Sequence, residues 1–141
     1  MNFTTITSDD EIEIKTDNID NIINHFYIYL KNRNECIGSI SYRGYHYNQH
    51  LGDLGCVIYM DYRKKGYAYK AFILMSQLLN KKGIPDFWIT CNRNNIASLK
   101  LIIHHNEIIE QKFVTDDILL FRCKTKQKEQ KNNRQIKRIN I

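Results

Sequence analysis

Apolar and polar positions change period several times along this chain, and each change marks an element. From His25 to Lys31 they alternate. Phe26, Ile28 and Leu30 fall on one side, Tyr27 and Tyr29 on the other, the period-two pattern of a half-buried strand. Asn32 to Glu35 reads as a turn, and Cys36 to Arg43 as the returning strand of a hairpin, with Gly38 inside it. Phe3–Ser8 and Glu11–Thr16 read as short strands ahead of that hairpin. Ile19, Ile22 and Ile23 recur at helical spacing and predict a short helix within Asp17–Asn24. Leu54 to Tyr59 is an apolar run of strand length. Across Tyr67 to Lys81 the period becomes helical, with Ala68, Ala71, Phe72, Met75, Leu78 and Leu79 on one face. Gly83 and then Pro85 supply the stop. Asp86–Cys91 reads as a buried strand. Ile96–His105 reads as a second helix, capped by Asn94 or Asn95 and ended by Asn106 in the left-handed conformation. Glu107–Val114 and Ile118–Lys124 form a last hairpin around Asp116-Asp117. This order predicts one α/β layer structure with a mixed sheet.

Composition narrows the class. A chain of 141 residues, 43% hydrophobic and 26% charged, fits one soluble domain with a modest core. No apolar stretch approaches the roughly 18–20 residues that span a bilayer, so no membrane partner is expected. Met1 to Asp10 has neither a basic start nor an apolar run, so a signal peptide is not expected and a cytoplasmic location is. Cys36, Cys56, Cys91 and Cys123 form no C-x-x-C pair and sit among apolar residues, as reduced, small hydrophobes do. His46 and His50 are four apart in the polar loop Gly44–Gly52, without a third ligand nearby, so no metal is expected. Residues 124–141 hold seven basic side chains against Glu129 alone, which equals the whole net charge of +6. Residues 1–123 therefore read as the domain and 124–141 as a basic, flexible tail. Nucleic acid or another acidic surface is one partner for such a tail. No aromatic residue interleaves its charges to stack on bases, which favours a solubilising extension.

The chemistry concentrates after the Leu54–Tyr59 strand. Arg63-Lys64-Lys65-Gly66-Tyr67-Ala68 is a basic, glycine-containing turn leading into a helix. Free N–H groups and the helix dipole make such a turn a phosphate site, and Gly66 lets the backbone come close to a ligand. A second element, Thr90 to Ser98, is a strand end, a polar loop and a helix start.

The Arg-x-x-Gly-x-Ala spacing of the first element resembles the pyrophosphate loop of the GNAT acetyltransferases (the Gcn5-related N-acetyltransferase superfamily). Asn95-Ile96-Ala97-Ser98 is similar to the Asn-x-x-Ser element of the same family, and Tyr59 to Arg63 resembles its strand-to-loop stretch. The resemblance runs from about Cys36 to Lys124. It implies a mixed, mostly antiparallel sheet of six to seven strands flanked by helices. The family's fourth strand, here Leu54–Tyr59, splays from its fifth, here Asp86–Cys91. It also implies acetyl-CoA as cosubstrate, held by Arg63, Lys64, Lys65, Gly66, Tyr67 and Ala68, by the strand around Cys56, Val57 and Ile58, and by Asn95 and Ser98. The reaction implied is direct acetyl transfer to a primary amine, a small molecule being favoured, with no metal.

Asp53 is the best-placed carboxylate for a general base, with a solvated loop acid as the alternative reading. The family's acid tyrosine is Ile102 here. Tyr59 is a candidate substitute, as are Tyr67, His104 and His105. The usual Gly-Phe after the second helix is Asn106-Glu107. The short N-terminal part leaves an open acceptor cleft, lined by Tyr42, Tyr45, Tyr47 and Asp53, that a second subunit of a homodimer can complete. A non-catalytic acyl-CoA-binding module and a nucleic-acid- or ribosome-associated protein acting through its tail are the alternative functions.

Overall fold

A computed structural model describes residues 3–22, 24–43 and 52–128. Eight strands, β1 (Thr4–Ser8), β2 (Ile12–Thr16), β3 (Asn24–Leu30), β4 (Glu35–Arg43), β5 (Asp53–Ile58), β6 (Asp86–Asn92), β7 (Ile108–Phe113) and β8 (Ile118–Lys124), form one sheet in the order β1-β2-β3-β4-β5-β6-β8-β7. All neighbours are antiparallel except β5 and β6. The count exceeds six to seven because both short N-terminal strands join the sheet edge. Among the described residues, two helices, α1 (Tyr67–Lys81) and α2 (Ile96–His105), and a single 3-10 turn, Met60–Tyr62, accompany the sheet.

The alternation in β2 and β3 places Ile12, Ile14, Phe26 and Ile28 in the core. Ala71, Met75 and Leu79 of α1 are fully buried against them, one helical turn apart. α1 stops as its sequence predicts. Gly83 is left-handed (φ 84), and the N–H of Ile84 returns to the Leu79 carbonyl at 2.9 Å. None of the described helices is long and apolar enough to cross a membrane.

Three local expectations are corrected. No helix forms over 17–22. Instead Asn18 N–H bonds Thr16 Oγ1 and Asp20 N–H bonds Asn18 Oδ1, so short polar side chains close turns in place of helical hydrogen bonds. Asn106 is extended (φ −131, ψ 148) rather than left-handed, and its side-chain amide caps α2 by donating to the Ile102 carbonyl at 3.1 Å. The fold also continues past residue 123. Thr125 is buried and donates its hydroxyl to the carbonyls of Ile84 and Pro85, while Lys126 N–H bonds Ser76 Oγ at 2.9 Å. The loop 44–51, with Tyr45, Tyr47, His46 and His50, and the tail beyond 128 lie outside the described residues.

Gly38 holds β4 close to β5: a Cβ there would sit 2.2 Å from the Val57 carbonyl oxygen. Gly38→Ala is expected to lower stability by about 1–3 kcal/mol through that overlap. Urea unfolding checks it, and an unchanged midpoint would show that the strands yield.

Candidate active site

The site arises where the sheet opens. β5 and β6 are in register only at Asp53 and Trp88, where Trp88 N–H donates to the Gly52 carbonyl at 3.0 Å. Beyond that pair the strands diverge. The side of β5 that faces the gap has no ladder partner on β6, so its backbone groups are left for a ligand. A cavity of about 380 Å³ fills the gap, floored by Leu54, Gly55 and Cys56 and walled by Ala68 and Phe72 of α1 and Ser98 and Ile102 of α2.

The basic turn stands at the start of α1. Gly66 is its N-cap, left-handed (φ 83), with nothing within 4 Å of a built Cβ. The first helical bond runs from Lys70 N–H to the Gly66 carbonyl, so the N–H groups of Tyr67, Ala68 and Tyr69 precede the ladder. No acidic residue lies in the first turn and no side chain caps it, which leaves the dipole end for an outside anion. Lys64 and Lys65 are exposed and have no ion pair among the described residues. Arg63 is used differently: its Nε donates to the Ile58 carbonyl at 2.8 Å and ties the turn to the end of β5. Lys70, next along the helix, is committed to Glu11 at 2.6 Å.

The remaining expected ligand-binding residues divide by strand alternation. The Cys56 side chain lines the cavity. Val57 projects to the opposite face, 55% exposed, and Ile58 is buried in the core, so these two can offer only backbone. Tyr67 packs against the core rather than the cavity, whereas Ala68 lines it. Asn95 and Ser98 both line it, and Asn95 Oδ1 also accepts the Ser98 N–H at 3.3 Å, capping α2.

A second cavity, about 560 Å³, opens on the other face of the sheet. It is lined by Asn24, His25, Ser39, Ser41, Tyr42, Arg43 and Val57, and shares Gly55 and Cys56 with the first. Of the residues expected around an open cleft, Tyr42 lines it; Ser39, Ser41 and Arg43, alternating on β4, are additional.

Asp53 is the first residue of β5, opposite Arg43 and Trp88, and 9% exposed, so it is not a solvated loop acid. Neither Asp53 nor Tyr59 lines either cavity. The Tyr59 hydroxyl turns to Cys36 Sγ at 4.0 Å, and that contact raises its pKa. Ile102, at the position of the acid tyrosine, does wall the cleft. One turn on, His105 lines it too, its ring 4.1 Å from that of Tyr69; His104 is exposed. No cluster with metal-binding spacing exists among the described residues.

A basic turn with free helix N–H groups thus stands beside an opened strand edge in an α+β fold. The family model described as "Acetyltransferase (GNAT) domain" matches residues 3–105, and the chain belongs to the GNAT acetyltransferase family. An acetyltransferase of Agrobacterium tumefaciens superposes with a TM-score of 0.64 at 13% identity, over 86% of this chain and 96% of that one. RimL, a ribosomal L7/L12 alpha-N-protein acetyltransferase in complex with coenzyme A, gives 0.55 at 16% identity, over 70% of this chain and 59% of its own. The microcin C7 self-immunity acetyltransferase MccE, in complex with acetyl-CoA and AMP, gives 0.54 at 15%, over 70% and 58%. Identities this low show a shared fold alone. No curated protein matches the chain.

Burial pushes the thiols of Cys56 and Cys123 up from 9.0 to about 12. The folded protein then keeps protons that the unfolded chain releases. Their stabilisation is intact below about pH 9 and is lost as pH rises towards 12. Stability should fall across that window, and less steeply in Cys56→Ala/Cys123→Ala. Urea midpoints from pH 8 upward test this; equal slopes for the two proteins would refute it.

Proposed function

We propose that the protein transfers the acetyl group of acetyl-CoA directly to a primary amine, with the two cosubstrates meeting at Gly55 and Cys56. The carrying observation is that these residues belong to both cavities, one opening towards the basic turn and the other to the opposite face of the sheet. The chemistry of the first cavity suits acetyl-CoA. Gly66, Lys64 and Lys65 take the pyrophosphate. The open side of β5 pairs with the amide-like pantetheine arm as an added strand would, with Asn95 and Ser98 opposite.

Acetyl-CoA supplies the activated acetyl group, and the protein's part is to hold the amine and take its proton. No Asp or Glu lines the second cavity among the described residues, so the nearest carboxylate along β5, Asp53, is assigned that proton through water. Tyr59, turned towards Cys36, has no part in this scheme. A thiolate leaves at neutral pH without a strong acid, so Ile102 in place of tyrosine is compatible with turnover.

Calorimetry with acetyl-CoA is the direct test. Gly66→Glu places a carboxylate in the anion site and should weaken binding by roughly tenfold or more. Wild-type protein that shows no binding would sink the proposal. Gly55→Leu should lose roughly a hundredfold in turnover, more than it loses in acetyl-CoA affinity, because its side chain grows into the second cavity. Full turnover in that variant would place the acceptor elsewhere. Normal acetyl-CoA affinity with no turnover across an amine panel would identify a binding module instead.

A further inference from the structure

The second cavity carries an anion-recognition feature that acetyl transfer itself does not require. Gly55 sits at the junction of the two cavities. A Cβ built there would meet only Ser41 Oγ at 3.7 Å and Arg43 Nη2 at 3.9 Å, ordinary contact distances. Its φ is not positive. Neither backbone nor packing demands glycine here, so its bareness leaves open space directly beneath the Arg43 guanidinium.

That guanidinium has no ion pair or side-chain hydrogen bond among the described residues. Arg63 and Arg122 are, by contrast, committed to Ile58 and Asp86. Ser39 and Ser41 project from the same face of β4 into the same cavity, and no Asp or Glu lines it among the described residues. An arginine fork flanked by hydroxyls is matched to an oxyanion with several acceptor lone pairs. It lies over Gly55, and the cleft floor continues to Cys56, about 3.3 Å further along the strand.

Resting on the acetyl-transfer reading above, we infer that the acceptor is an amine carrying a carboxylate or phosphate within a few bonds of its nitrogen, with Arg43 holding that oxyanion. A free amino acid or an aminoalkyl phosphate fits; the N-terminus of a peptide, whose neighbouring group is a neutral amide, does not. Arg43 is thus a specificity residue rather than a catalytic one.

The test compares matched acceptors: phenylalanine with phenylalaninamide, and phosphoethanolamine with ethanolamine. Wild type should favour the anionic member of at least one pair by about tenfold or more in kcat/KM, mainly through KM. Which pair responds separates carboxylate from phosphate. Arg43→Ala should erase the preference while leaving acetyl-CoA affinity unchanged, and Arg43→Lys should keep part of it. A second arm needs no turnover. N-acetylphenylalanine and its amide are titrated, with and without CoA, into wild type and Arg43→Ala, followed by calorimetry. The free acid should bind wild type more tightly, and the difference should vanish in the variant. Equal use or binding of charged and uncharged partners, binding of neither, or a preference that survives Arg43→Ala would overturn the inference. Acetyl-CoA binding, measured separately, reports whether the acetyl-transfer reading has failed with it.

Discussion

Parallel pairing of β5 with β6 lasts for a single residue pair, Asp53 with Trp88, and the functional geometry of this protein depends on that brevity. Had the ladder continued, the backbone of β5 would be satisfied on both sides and no ligand could pair with it. Divergence opens a wedge on the core face, which α1 and α2 wall without filling. On its other side β5 stays fully paired with β4, from Arg43–Asp53 to Gly38–Ile58. One strand is therefore rigid along one edge and free along the other, which suits a docking strand.

Small contacts hold that strand at its far end. Gly38 allows β4 to approach the Val57 carbonyl closely, and Arg63 Nε takes the Ile58 carbonyl where the ladder stops. The arginine of the basic turn is in this way partly structural. It fixes the turn relative to the strand, and Lys64, Lys65 and the first helix N–H groups stay uncommitted among the described residues. The C-terminal segment acts similarly at the opposite end. Thr125 and Lys126 lace β8 to the loop before β6, to Ser76 of α1 and, through the Lys126 ammonium, to the His105 carbonyl that ends α2.

The two faces of β5 divide the work. Gly55 and Cys56 border both cavities, and a side chain at position 55 would point to the polar side of β4, towards Ser41 and Arg43. On the proposed reading, a thioester on one face and an amine on the other meet across a single strand. The half-buried Cys56 thiol, its pKa pushed up to about 12 by desolvation, is a neutral wall there.

Local signals in the chain were enough for most elements. Helical spacing in 67–81, Gly83 as the stop and Asn95 as the cap all correspond to hydrogen bonds between residues a few positions apart, and alternation in 25–31 to the local pleat of a strand, so each is written in a short window of sequence. The same holds for the basic turn, whose shape needs only Gly66 and the helix that follows it. Local reasoning failed where short polar side chains outcompeted a helix, at Thr16 and Asn18, and where Asn106 capped α2 by its side chain. Burial of Asp53, withdrawal of Tyr59 towards Cys36, and the meeting of two cavities at Gly55 were decided by the tertiary structure. Each depends on which strand lies beside which and on where one ladder ends, and those are contacts between residues far apart in the chain that no local period encodes.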